Sequence, residues 1–113
     1  CDALLGAMGE GDLGRHYPSS DQRFKNISSL KLLEDVVGKL RAKGYRLANV
    51  DSTIIAQAPR LSPHLAAMQK MIAGVLQVDP ELVNVKVKSG EGLDAVGREE
   101  AVAAQAVCLI ERD

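Results

Sequence analysis

"NVDSTIIAQAPRLSPHL", residues 49–65, joins a β-branched run to a helix start across two prolines and an arginine, and its reading decides the fold. From Tyr45 to Ala56 the chain is apolar and β-branched with no helical spacing. That pattern predicts a strand, with Val50 to Ile55 buried on both faces. The strand stops at Pro59. Ser62 is placed to cap a helix and Pro63 to take its first position, with Leu65, Met68, Ile72 and Val75 or Leu76 on one side.

Downstream, "VNVKVK" (83–88) alternates apolar and polar residues, which predicts a half-buried strand with Asn84, Lys86 and Lys88 on its wet face. Strand, helix, strand in this order implies parallel pairing through a right-handed crossover. Upstream, Ser28 or Ser29 opens a second amphipathic helix carrying Leu30, Leu33, Val36 or Val37, and Leu40. Asp35 stands four residues before Lys39, and Gly44 is the stop. The stretch "GEGDLGRHYPSSD" (9–21) is dense in turn formers and reads as a loop. "CDALLGAMG" reads as an apolar helix already under way, so an N-terminal truncation is expected. The tail "EEAVAAQAVCLIER" (99–112) is ambiguous: alanines favour helix, whereas Val102, Val107, Leu109 and Ile110 suit a strand.

A chain of 113 residues with 46% hydrophobic and 26% charged side chains is sized and composed as one globular domain, residues 1–113. Its 14 basic and 15 acidic residues create no bulk field for nucleic acid or an anionic membrane, so an anionic ligand has to be held locally. With no Trp, two Tyr and one Phe, the stacking platform of single-strand binders is missing and nucleic acid is not an expected partner. Cys1 and Cys108 form no CxxC or secretory framework. Reduced thiols and a cytoplasmic location are expected, with no membrane span or signal peptide.

Ligands in α/β arrangements collect at the carboxyl ends of strands. Here "AQAPRLSP" (56–63) and "KSGEGLDAVGR" (88–98) leave such ends, and "GDLG" with "YPSSD" is a third polar loop. Taken singly, these residues read as ordinary surface: Asp12 as a turn residue, Glu91 as solvated, Arg60 and Arg98 as surface charges. His16 and His64 show no metal-ligand spacing.

Taken together, "CDALLGA", "GDLGRHYPSSD", "KGYRLANVDSTIIAQAPRLSPH" and "VNVKVKSGEGL" followed by "GR" resemble the 2-C-methyl-D-erythritol 2,4-cyclodiphosphate synthase family, from Cys1 to about Arg112. The resemblance implies an α+β fold: a mixed sheet with amphipathic helices on one face, assembled as a homotrimer with sites between subunits. It also makes the tail from Ala101 to Ile110 a strand near the trimer axis, where small alanines allow close approach. The implied reaction is an intramolecular phosphoryl transfer. The 2-phosphate of a cytidine-diphosphate-linked methylerythritol attacks the β-phosphorus and expels CMP, so the protein has to supply alignment and charge neutralisation. A non-catalytic cytidine-nucleotide-binding or trimeric assembly module on the same scaffold is the alternative.

By the same resemblance, Asp12, Leu13 and Gly14 contact the methylerythritol moiety, with Tyr17, Ser19 and Asp21 adjoining. Ala56, Gln57, Ala58, Pro59, Arg60, Leu61 and Ser62 form a wall that accepts cytosine, with Arg60 its expected charged contact. Ser89 stands where a threonine stabilises the transition state. Glu91 ligates a second divalent ion, magnesium or manganese, and Arg98 binds phosphate. Zinc is also implied, through an Asp-x-His and a further His expected upstream of Cys1. Departures from the family pattern are Lys88 and Gly90 within "KSGE" where "TTTE" is common, Ser19 for an aspartate, and Asp94-Ala95 for a Gly-aromatic pair.

Overall fold

The computed structural model describes all residues, Cys1–Asp113. The β-branched run forms β1 (Tyr45–Ile55), the middle strand of a sheet completed by β2 (Val83–Lys88) and β3 (Ala103–Arg112), in the order β2-β1-β3. β2 runs parallel to β1, from Val50↔Val83 to Ile55↔Lys88, and β3 runs antiparallel, from Tyr45↔Arg112 to Ile55↔Ala103. The sheet is therefore mixed, and the alanine-rich tail is a strand despite its helix propensity.

One irregularity sets which residues face the helices. The register slips between Leu47 and Asn49, leaving Ala48 as an extra residue on β1. Such a bulge reverses the alternation beyond it. Leu47 and Val50 consequently both reach the core cluster, although a regular strand would point them to opposite faces.

The helices α1 (Asp2–Ala7), α3 (Ser29–Ala42) and α4 (Leu65–Leu76) pack on that same side; between α1 and α3 lies the one-turn α2 (Leu13–His16). Leu4, Leu5, Val36, Val37, Leu40 and Leu76 meet Leu47 and Val83 in one cluster. The expected start of α3 is observed: the Ser28 hydroxyl accepts from the Leu30 N–H at 3.3 Å, and Gly44 ends the helix region with φ of 84°. Leu5 is completely buried at the centre. Leu5→Ala is expected to lower unfolding free energy by about 2–5 kcal/mol, measured by denaturant titration; a loss below about 1 kcal/mol would mean the core closes around the gap.

Three expectations are corrected. Val50 to Ile55 are half-buried, because Asp51, Thr53 and Ile55 lie on the sheet face that no helix covers. Ser62 does not cap α4. Leu61 is already in the right-handed helical region, so Ser62–His64 forms a 3₁₀ turn, and a capping side chain needs an extended residue there. Finally, the glycine-rich loop is not wholly irregular: Asp12 caps α2, its carboxylate accepting from the Arg15 N–H at 2.9 Å.

No helix is long and apolar enough to cross a membrane. The helix-free sheet face carries Val107 and Leu109 at 66% and 61% exposure, on the edge strand β3.

Candidate functional site

Parallel pairing brings the carboxyl ends of β1 and β2 side by side, and the Ala56 N–H extends the ladder to the Lys88 carbonyl at 2.9 Å. The segment 56–62 turns back over this end and encloses a pocket of about 330 Å³ with Val87, Lys88 and Ser89. Every residue of the expected wall lines it except Ala58, whose bond to Pro59 is cis. Two cations, Arg60 and Lys88, border the pocket, and no carboxylate does. Two residues earlier on β2, Lys86 is matched to Asp51 at 2.6 Å, whereas Lys88 and Arg60 have no acidic partner. The pocket is thus locally positive within a chain that is nearly neutral, as recognition of an anion requires.

Ser89 sits where the strand becomes a loop. Its Oγ accepts from the Glu91 N–H at 3.2 Å, so the hydroxyl hydrogen is left to donate. Glu91 itself is exposed and left-handed, with φ of 52°. The loop then folds against the short helix α5 (Asp94–Gly97), where a Cβ on Gly90 would lie 2.5 Å from the Gly97 nitrogen. Asp94 is spent within this turn, its carboxylate accepting from the Val96 N–H at 3.0 Å. Arg98 points elsewhere: its Nε donates to Glu100 at 3.0 Å, and neither Arg98 nor Ala95 lines the pocket.

The third loop lies at the opposite edge of the sheet. Leu13 borders a surface hollow with Ala104 and Gln105 of β3, and its N–H donates to Asp2 at 2.7 Å. Tyr17 reaches α3, where its hydroxyl donates to Asp35. Asp21 holds Arg23 at 2.7 Å, and that guanidinium keeps the Asp21 carboxyl below the usual carboxylate range; Ser19 and Gly14 are exposed. One chain therefore assembles the 56–62 wall with Lys88 and Ser89, and places residues 12–21 apart from them.

Metal donors can be tested on the same geometry. No group of three His, Cys, Asp or Glu stands together. The His16 Nε2 lies 2.6 Å from the Glu10 carbonyl, and His64 sits at the start of α4, so the residues present do not form a zinc site. Glu91 offers one exposed carboxylate in the loop after β2. Magnesium and manganese can be held through a single carboxylate, taking most of their remaining ligands from water and substrate phosphate.

Two side-chain groupings had no sequence signal. Asp51, Asn84 and Lys86 form a network across β1 and β2, with Asn84 donating to Asp51 at 2.9 Å. Lys86 and then Asn84 hold the Asp51 carboxyl below its usual range. The second grouping is Tyr17 with Asp35, far apart in the chain and joined only by the fold.

A mixed sheet with helices on one face and a cationic pocket at the parallel strand ends defines an α+β domain suited to an anionic ligand. The chain belongs to the YgbB family, the 2-C-methyl-D-erythritol 2,4-cyclodiphosphate synthases, whose sequence profile matches residues 1–111. It is 51% identical over 112 residues to the enzyme of that name from Syntrophomonas wolfei, covering 99% of this chain and 71% of that one. Among solved structures, the bifunctional IspDF from Campylobacter jejuni superposes with a TM-score of 0.95 at 39% identity, over 99% of this chain and 30% of that one. The CDP complex of IspF from Plasmodium falciparum gives 0.86 at 32% identity, over 98% of this chain and 66% of that one.

Proposed function

We propose that the protein is a 2-C-methyl-D-erythritol 2,4-cyclodiphosphate synthase, a phosphorus–oxygen lyase that cyclises its substrate and releases CMP. The pocket between segment 56–62 and Lys88–Ser89 carries this reading, because it combines a main-chain wall with two unpaired cations and a hydroxyl donor. Cytosine lies against the wall, whose ordered backbone lowers the entropy cost of binding. Arg60 and Lys88 hold the phosphates. An oxygen of the 2-phosphate attacks the β-phosphorus, the bond from that phosphorus to the bridging oxygen breaks, and the electron pair leaves with CMP. Ser89 donates to a non-bridging oxygen as charge moves across the transferring group. Glu91 holds the magnesium or manganese ion, which supplies neutralisation of phosphate charge when bound.

Residues 12–21 complete the site by gripping the methylerythritol end. Their separation from the cytidine pocket supports a homotrimer with each site shared by two subunits. The exposed Val107 and Leu109 on edge strand β3 also favour a copy-to-copy contact. A second reading, a cytidine-nucleotide-binding module without catalysis, is favoured by Arg98 being tied to Glu100.

Incubating the full-length protein with the CDP-methylerythritol 2-phosphate substrate and magnesium separates the readings. Stoichiometric CMP and cyclic diphosphate support the synthase, CMP binding without turnover supports the module, and neither would overturn both. Within the synthase reading, Lys88→Ala is expected to weaken CMP binding roughly tenfold or more, the worth of a hydrogen bond to a charged group. It should also flatten the salt dependence of binding, read by calorimetry at two ionic strengths. An unaltered affinity would remove Lys88 from the phosphate site.

A further inference from the structure

Tyr17 leaves α2 and lands half-buried on the flank of α3. Its hydroxyl donates to Asp35. The edge of its ring meets Phe24, with centroids 5.1 Å apart and planes at 80°. Lys39 approaches the ring at 5.7 Å and the Asp35 carboxylate at 3.9 Å, so one lysine braces both partners. The charged groups around this hollow are Asp35, Lys39, Lys31 and Glu34 from α3, together with His16 beside Tyr17 and Arg23 over the Phe24 ring.

We propose that Asp35 is a positioning residue for the loop Asp12–Asp21, fixing through Tyr17 where that loop presents its polar groups. The inference rests on the reading that this loop grips the substrate. α3 is the rigid body here, since Val36, Val37 and Leu40 fasten it into the core. The loop's other hydrogen bonds lead elsewhere, Asp12 capping α2, Asp21 holding Arg23 and the Leu13 N–H donating to Asp2 of α1, so the Tyr17–Asp35 bond is the one that fastens it to α3. Without the Tyr17–Asp35 bond it keeps its turns and loses its fixed placement on α3. Burial first, and then Asp35, push the Tyr17 phenol above the usual tyrosine range, so the proton stays on Tyr17 and the bond persists at working pH. Asp35 touches no substrate in this arrangement. Its effect appears in alignment, where small displacements of the reacting groups cost large factors in rate.

The test uses the full-length protein labelled with ¹³C at tyrosine Cζ, the Tyr17 signal being assigned by its loss in Tyr17→Phe. Asp35→Asn is expected to bring the Tyr17 titration down toward the ordinary range. Asp35→Ala is expected to lower kcat/KM by roughly tenfold or more with CMP affinity unchanged, because CMP occupies the other pocket. Adding Tyr17→Phe to Asp35→Ala should cause no further loss, as expected of two residues acting as one unit. A Tyr17 signal indifferent to Asp35→Asn overturns the proposal. So does normal kcat/KM in Asp35→Ala when Asp12→Ala is impaired, a result that leaves the substrate-gripping loop standing. If Asp12→Ala is also unimpaired, the loop's assignment fails and the inference falls with it.

Discussion

Glu91→Gln is expected to slow CMP release by roughly a hundred- to a thousandfold, the scale of losing one preorganised electrostatic contact in a transition state, while CMP affinity stays close to that of the parent protein. The two effects separate because of where Glu91 lies. It is two residues beyond the last pocket-lining position, Ser89, and takes no part in the wall of residues 56–62. Glutamine preserves its volume and the N–H that donates to Ser89, so the loop keeps its shape. Only the negative charge is removed. Glu91 belongs to no cluster of three His, Cys, Asp or Glu side chains that could hold a divalent ion without it. Residual activity should therefore require a higher magnesium concentration than the parent protein. Single-turnover assays with separate CMP titrations measure both quantities. Turnover within about twofold of the parent would remove Glu91 from the reaction, since it would show no transition-state contribution.

Legibility in the sequence followed the range of the forces involved. α3 was readable from Ser28 to Gly44 because a cap, an apolar stripe and a glycine stop all act within a few residues. β2 was readable because strict alternation encodes a half-buried strand. The tail was not, since alanine's preference for helix is local and β3 is decided by pairing with distant β1. Only the family resemblance assigned it correctly. The bulge at Ala48 was equally hidden: nothing in "RLANVD" (46–51) announces an unpaired residue, yet it determines that Leu47 and Val50 share the core face. At the candidate site, the position of the wall and of Lys88–Ser89 at the ends of two strands was legible. The engagement of Arg98 by Glu100 and of Tyr17 by Asp35 was not, because such pairings depend on side-chain directions that no spacing rule contains.

Gly90→Thr restores the residue common in the family, and it is nevertheless expected to lower kcat/KM by roughly tenfold to a hundredfold, through displacement of Ser89 and Glu91 from their aligned positions. In this chain the loop closes by glycine against glycine. A Cβ on Gly90 would lie 2.5 Å from the nitrogen and 2.8 Å from the Cα of Gly97, and a Cβ on Gly97 would lie 2.4 Å from the Gly92 carbonyl carbon. These neighbours are backbone atoms, which cannot swing aside as a long side chain would. Threonine at residue 90 has to push α5 away, breaking the closing bonds from the Leu93 N–H to the Gly90 carbonyl at 2.9 Å and from the Gly97 N–H to the Leu93 carbonyl at 2.8 Å. Hydrogen exchange at the Leu93 and Gly97 amides should accelerate, while the core amides of α3 and β1 keep their protection. Gly97→Ala should act the same way. Gly6→Ala is the matched control: its Cβ enters open space on a helix, so it should raise stability by about 0.5–1 kcal/mol and leave the rate alone. Full activity in Gly90→Thr would mean that the loop reaches its working shape by another route, and that the threonine of the relatives and the glycine here are interchangeable.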